Sequence, residues 1–182
     1  MTIDANTESL LVELSEYVRN RHFGKYRGLV KEVEDATSPD TQNLGRIRAE
    51  VPEIYGTMLS PWALPAVPFA GKKHGLVVLP EVDDGVWIEF EAGDISRPVW
   101  SGCWWASEEL PAPGARAIRA LVTSGGHKVV LDDEAKKLQL LHPGGAELTM
   151  TDSDITLKVG STQIVLSKSG GVSVNNVALE VK

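Results

Sequence analysis

The sequence predicts a mainly β fold in three parts: an N-terminal helix, a small Greek-key barrel and a C-terminal run of strands that one chain cannot bury alone. An amphipathic pattern within residues 1–24 predicts the helix. Short alternating segments separated by turn residues predict the barrel over residues 25–106. After a linker at 107–116, apolar residues recur at every second position through residues 117–182, which predicts consecutive strands.

Composition narrows the class of protein. The chain has 182 residues, a net charge of −7 and one cysteine, Cys103, so no disulfide can form within it and we expect assembly in a reducing cytoplasm. Residues 1–116 hold 11 Lys and Arg against 18 Asp and Glu. Because phosphate binding depends on positive charge, this acidic balance argues against nucleic acid as a partner.

The N-terminal helix is predicted over residues 6–22, with Asn6 or Thr7 as its N-cap. Four apolar residues recur at positions i, i+4, i+7 and i+8 and form one stripe along the helix. That stripe either packs on its own domain or docks on a partner protein, and the periodicity favours neither. The four residues are Leu10, Leu14, Tyr17 and Val18.

Six short strands are predicted in the second part, with no helix between them. Asp84-Gly85 is the strongest turn signal, since both residue types tolerate a positive φ. Five or six strands in about 80 residues fit a small barrel, and a Greek-key OB-type barrel fits best. The predicted strands are Tyr26–Glu34, Gly45–Val51, Pro61–Pro68, Gly75–Leu79, Gly85–Glu91 and Pro98–Trp105.

The C-terminal part alternates apolar and polar residues in short bursts, and each burst offers only two or three apolar side chains. No aromatic residue follows Trp105. Three chains winding round one axis would bury such narrow strands, whereas an ordinary sandwich lobe or a meander within a monomer is the alternative. The residues predicted to face the axis are Val129, Leu131, Leu138, Leu140, Leu148, Met150, Ile155, Leu157, Val159, Ile164, Leu166, Val172, Val174 and Leu179.

Four segments of the barrel carry a family resemblance. They are Asn43–Arg48, Ser60–Ala63, Leu79–Val86 and Phe90–Val99, and a weaker one follows at Ser124–Asp133. In this order and spacing they resemble strands of phage baseplate assembly protein V and of VgrG-type central spikes. The resemblance covers about Gly28 to Trp105 and extends weakly beyond.

The resemblance implies a homotrimeric central spike of a contractile tail or injection system. In that architecture an OB-fold ring lies beneath a hub, and a triple-stranded intertwined β-helix points toward the target membrane. It implies a structural protein that is no enzyme and has no cofactor. Its expected place is a virion tail baseplate or injection particle, among other baseplate proteins and in transient contact with the target cell envelope.

Departures from the family pattern sharpen these expectations. The linker is too short for the lysozyme domain that some relatives carry there. About 24 residues precede the barrel, so we expect the trimeric hub to be a separate chain that the stripe Leu10, Leu14, Tyr17 and Val18 contacts.

The tip of the spike is a second point of departure. Some short spikes bind iron at the tip through a His-x-His motif, but His22, His74, His127 and His142 are far apart in this sequence. We therefore predict no metal and a separate PAAR-type tip protein.

Residues capable of catalysis form no recognisable grouping in the sequence. Cys103 is predicted to be a small core residue, and the five tryptophans are predicted to fill the barrel core and its interfaces. The alternative function is an OB-type module that binds oligonucleotides or glycans by stacking on those tryptophans.

Overall fold

The computed structural model describes residues 4–34, 37, 42–175 and 179–181, and the chain divides into two compact units, Met1–Glu108 and Glu109–Lys182. Both units are dominated by strands. The first contains α1 (Ala5–Arg19), β1 (Tyr26–Val33), β2 (Ile47–Glu50), α2 (Pro52–Tyr55), β3 (Leu64–Pro65), β4 (Ala70–Gly71), β5 (His74–Gly75), β6 (Gly85–Phe90), a 3-10 turn (Glu91–Gly93) and β7 (Pro98–Trp104). The second contains β8 (Ile118–Val122), β9 (Lys128–Asp132), β10 (Lys137–Leu141), β11 (Ala146–Met150), β12 (Asp154–Val159), β13 (Thr162–Ser167), β14 (Gly171–Val174) and β15 (Leu179–Val181).

Helix α1 begins two residues earlier than a cap at Asn6 would place it, and three residues earlier than a cap at Thr7 would. Its N-cap is Asp4, whose Oδ1 accepts hydrogen bonds from the backbone N–H groups of Asn6 (2.8 Å) and Thr7 (3.0 Å). These hydrogen bonds lower the pKa of the Asp4 carboxyl, and the bond from Thr7 has the largest effect. An aspartate satisfies the free amides of a first helical turn and favours its positive dipole end, which explains why Asp4 caps the helix.

The barrel is a five-stranded sheet in the order β2-β1-β6-β7-β3. Isolated bridges from Ile47 to Ala63 and from Glu50 to Leu59 join β2 to the residues that lead into β3. Because β3 in turn pairs parallel with β7, the sheet curls back on itself in the strand order of an OB fold. The predicted Greek-key barrel is therefore confirmed.

Two predicted strands are much shorter than expected, and a short helix between strands was missed. Pro61–Pro68 forms only β3, because its prolines have no N–H to donate to a ladder. Gly75–Leu79 is paired only at its first residue, in the small β4–β5 hairpin. Helix α2 begins at Pro52, a residue favoured in the first turn of a helix.

The barrel core consists of small and branched side chains around a single tryptophan. Trp100 is buried, while Trp62 and Trp105 are exposed, so the prediction that the tryptophans fill the core holds for only part of the set. Cys103 lies exposed on β7, and its predicted place in the core was wrong. The core residues are Val30, Ile47, Ala49, Val51, Ala63, Val86, Ile88, Phe90 and Trp100.

The second unit is one antiparallel sheet whose eight strands follow each other in chain order, from β8 to β15. From β8 to β14, neighbouring strands are joined by short turns such as Asp133–Lys136 or Gly160–Ser161. The period-two pattern in the sequence therefore predicted β9 to β14 correctly, whereas β8 carries none of the predicted alternating bursts.

The turn before β6 lies one residue earlier than predicted, and this gives Gly85 a different role. Asp83 has the positive φ, 73°, and the Asp84 carboxylate accepts a hydrogen bond from the Glu81 backbone N–H at 2.8 Å. Gly85 is the first residue of β6, and the Trp104 ring packs against its Cα.

We predict that Gly85→Ala destabilises the barrel by about 1–3 kcal/mol, the usual cost of overpacking. A Cβ at this position would lie 2.6 Å from the Trp104 ring. Denaturant unfolding followed by tryptophan fluorescence reports on the barrel, because all five tryptophans lie between Trp62 and Trp105. The control is Gly125→Ala, whose Cβ would meet nothing closer than 3.6 Å. Equal midpoints for Gly85→Ala and the parent would contradict this packing.

Candidate trimerisation face and barrel motif cluster

The strand register places the predicted axis residues of the second unit on one face of its sheet, which we call the apolar face. Leu140 lies opposite both Val129 and Leu148, and Leu157 lies opposite both Leu148 and Ile164. Directly opposed residues of neighbouring strands point to the same side. The first row of the face is Val129, Leu140, Leu148, Leu157, Ile164 and Val174; the second is Leu131, Leu138, Met150, Ile155, Leu166 and Val172.

Two predicted axis residues lie outside these rows. Val159 follows Leu157 on the same side of β12 and is opposite Ala146. Leu179 pairs with Val174 through the backbone, but its side chain lies outside the described residues.

Within one chain the apolar face has no cover. Leu157 is 48% exposed and Val159 66%, while Thr156 and Val165 on the opposite face are half-buried. Val130 is the only buried hydrophobic residue among those described in this unit. A sheet normally covers its apolar face with a second layer, so this unit requires apolar surface from elsewhere.

The opposite face carries charged and polar side chains that pair across strands. The Lys158 Nζ lies 3.8 Å from the Glu147 Oε1 and forms an ion pair with it. The Gln139 side-chain amide donates a hydrogen bond to the Thr149 hydroxyl at 3.1 Å. Such pairs suit a surface that stays in water and contribute modestly to sheet stability.

Two histidines that are far apart in the sequence meet at one edge of the apolar face. The ring centroids of His127 and His142 lie 4.9 Å apart, and the rings are arranged edge to face. These two residues come directly after the last pair of the β9–β10 register, Lys128 with Leu141, which brings them opposite each other. Distance in the sequence therefore does not mean distance in the fold for this pair. The His142 Nδ1 accepts a hydrogen bond from the Gly144 N–H at 2.9 Å, and no group of three metal-ligating side chains occurs among the described residues.

Helix α1 presents its predicted stripe to solvent. Leu10, Leu14, Tyr17 and Val18 are between 54% and 63% exposed. Only the C-terminal end of the stripe has a described contact, where the Arg21 guanidinium lies over the Tyr17 ring at 5.0 Å. The stripe therefore remains available for a partner.

One of the barrel segments that carry the family resemblance, Asn43–Arg48, lies against a buried carboxylate that sequence reasoning did not single out. Glu34 is 1% exposed and accepts hydrogen bonds from the backbone N–H groups of Gln42 (2.7 Å), Leu44 (3.1 Å) and Arg46 (3.2 Å). The Arg46 guanidinium donates to it at 2.6 Å. These interactions lower the pKa of Glu34 from 4.5 to about 2. The hydrogen bond from Arg46 has the largest effect and the backbone hydrogen bonds add to it, whereas burial alone would raise the pKa.

The same cluster ties the other motifs together. The Arg46 guanidinium stacks on the Trp62 ring, 5.2 Å from its centroid, and the Trp100 indole N–H donates to the Gly45 carbonyl at 3.2 Å. Gly45 has a φ of 67°, and a Cβ there would lie 3.0 Å from Leu79. The cluster is a structural clamp on the chain between β1 and β2 and contains no arrangement suited to catalysis.

Comparison with known families decides what these units are. A model of the type VI secretion system/phage-baseplate injector OB domain matches residues 26–105. A model of the phage baseplate V C-terminal trimerisation domain matches residues 119–180. The chain belongs to the phage baseplate V family. No curated protein matches it.

Membership of the baseplate V family gives the two units their roles. The trimerisation match spans the whole described apolar face and supports a homotrimer. The family is a structural component of the baseplate, which supports a spike-type structural role in a tail or injection particle. No helix among the described residues is long and apolar enough to cross a membrane.

We predict that Glu34→Gln lowers the melting temperature of the barrel at pH 7 by at least about 5 °C, because the neutral amide cannot replace the carboxylate toward Arg46. Since folding depresses this pKa from 4.5 to about 2, the carboxylate stabilises the fold above about pH 4.5. The contribution disappears as the pH falls toward 2, so the difference between variant and parent should shrink over that range.

The matched control is Glu32→Gln on the same strand. The Glu32 side chain is 43% exposed and pairs with Arg48 at 3.1 Å, so this change should move the melting temperature by less than about 2 °C. A Glu34→Gln melting temperature equal to that of the parent at pH 7 would refute the clamp.

Proposed function

We propose that this chain is the central spike of a contractile tail or injection particle. In this proposal the barrels form a ring, α1 joins them to a separate trimeric hub, and the second units of three chains intertwine into a β-helical shaft that pierces the target envelope. One observation carries the proposal: an apolar face that runs through the sheet of the second unit is uncovered in the single chain and coincides with a trimerisation domain.

The composition of the face supports three chains around a narrow axis. Full burial of an aliphatic side chain stabilises by about 1.5–3 kcal/mol, and three copies contribute equivalent rows. Leucine, isoleucine and valine fit a tight axis, whereas two sheets about 10 Å apart are usually filled by larger residues. The charged opposite face would then form the outside of the shaft.

A shaft of this kind suits mechanical loading. Intertwined chains leave no long strand edge open along their length, and each must unwind from the others before it can unfold. Polar outer residues such as Lys158 and Glu147 keep the surface soluble. A PAAR-type protein at the tip would complete the point.

The hub contact is proposed for the stripe of α1. A helix that is amphipathic, capped by its own Asp4 and exposed along its apolar side has the features of a helix that binds in a groove of another protein. The hub is the partner expected at this end of a spike that carries its shaft on the other unit.

We predict that Leu157→Asp abolishes the trimer. The parent should have a mass in solution about three times that of the 19.7 kDa chain, measured by light scattering, because three apolar faces pack together. Leu157→Asp should give monomers, since a buried unpaired charge costs several kcal/mol in each chain. Thr156→Asp on the opposite face is the control and should leave the mass unchanged. A parent that is monomeric would overturn the proposal.

We predict that Leu14→Asp weakens binding to the hub protein of the same particle at least about 10-fold, because the charge falls in the middle of the apolar stripe. The measurement is co-purification and titration of the two purified proteins. Glu13→Gln, the next residue on the polar side of α1, should bind like the parent, and both variants should stay trimeric. Unchanged affinity for Leu14→Asp would exclude α1 as the contact.

A further inference from the structure

The segment after β5 is apolar, yet it belongs to no strand of the single chain. Leu76 is 51% exposed, Val77 82% and Val78 52%. Leu79, in contrast, packs against the barrel core. Its alternation and β-branched residues predicted a strand over Gly75–Leu79, so the local sequence favours a strand that the single chain does not complete.

The backbone of this segment is also only partly hydrogen-bonded within the chain. The Leu76 N–H donates to the Phe69 carbonyl at 2.9 Å, which closes the base of the β4–β5 hairpin. Among the described residues, the N–H groups of Val77 and Val78 donate to no backbone acceptor. Exposed strand edges of this kind pair readily with another chain and are seldom left open in native assemblies.

The neighbouring hairpin extends the same surface. Phe69 is 59% exposed and contacts the His74 ring at 5.4 Å between centroids. Lys72 and Lys73 form the turn at the end of the hairpin. Residues 69–79, which we call the arm, therefore combine exposed apolar side chains with a basic end.

We propose that the Leu76–Leu79 segment is a strand completed by the barrel of a neighbouring copy, so that the arm joins the barrels of the trimer to one another. Backbone pairing of Val77 and Val78 with the neighbour would supply affinity, and the apolar side chains of the arm would be covered at the same time. This inference rests on the homotrimer but not on the hub or envelope roles proposed above.

We take the partner of the arm to be a second copy of this chain, because copies in the same trimer are held close to it. The trimerisation domain begins at residue 119 and the barrel ends at residue 105, so a linker of known length holds three barrels together. Tethering at this range produces effective concentrations of about a millimolar, at which even a small pairing surface is occupied. The basic end of the arm also complements the barrel unit, since residues 1–116 carry 18 acidic against 11 basic side chains.

Hydrogen exchange of the full chain, read by mass spectrometry, tests this pairing. The amides of Val77, Val78 and Leu79 should exchange at least about 100-fold more slowly in the trimer than in Leu157→Asp, which removes the neighbouring copies. A peptide from β6 and β7 should be equally protected in both proteins, which shows that the barrel remains folded. Solution mass is measured on the same samples.

A second variant tests whether the slow amide exchange depends on the side chains of the arm. Val77→Asp should keep the trimer mass, because the second units still associate, and should lose at least about 10-fold of the protection at Val78 and Leu79. Met58→Asp changes another strongly exposed apolar position, 69% exposed against 82% for Val77 but outside the arm, and should keep that protection.

The outcomes separate the two proposals. A trimer mass with fast exchange at Val77–Leu79 would overturn the arm and leave the spike intact. Slow exchange that persists in Leu157→Asp monomers would also overturn it, since the protection would then arise within one chain. A parent of monomer mass would overturn both proposals.

Discussion

A single-layer sheet with rows of exposed aliphatic side chains on one face is unstable in water unless something covers that face, and this constraint governs the second unit. Its strands are four to six residues long apart from the terminal β15, and each strand from β9 to β14 gives two or three apolar side chains to the face. Only Val130 is buried among its described residues. Neighbouring strands pair along the whole sheet within the chain, but in the proposed trimer the core is supplied by other copies. Folding and assembly of this unit would then be one process, as in obligate oligomers.

The barrel differs, because it completes its core within one chain and holds the residues that lead into β2 by an ion pair and hydrogen bonds. Glu34 would be costly to bury alone, and its cost is offset by the Arg46 guanidinium and three backbone amides. Arg46 is in turn placed on Trp62. Residues from separate parts of the sequence thus share one network.

Much of this organisation could be predicted from the sequence, for physical reasons that differ between the units. The apolar face was predicted almost completely, since period-two alternation fixes the side of each residue once the register is known. Tyr26–Val33 and Gly85–Phe90 were predicted because their apolar positions face a core. The short β3 was overestimated, since its prolines weaken the ladder.

What could not be predicted depends on contacts distant in the sequence. Nothing in the local pattern distinguishes Glu34 from the exposed Glu32, because burial of Glu34 follows from the way residues 42–46 return to it. His127 and His142 meet only through the β9–β10 register. The cap at Asp4 could have been found from the preference of aspartate for the N-cap, but Asn6 and Thr7 offered competing signals within three residues.

The exposed apolar surfaces of this chain differ in the kind of partner that each one suits. On the second unit the exposed residues form two continuous rows with equal spacing, which is what equivalent copies around an axis require. On α1 the exposed residues form one stripe along a self-capped helix, which suits a groove in a different protein. On the arm the backbone is open as well as the side chains, so its partner must present a strand edge and not only an apolar surface. In the proposals made above, three kinds of exposed surface on one chain therefore correspond to three kinds of contact, and in each case the groups that the single chain leaves open define the partner that would cover them.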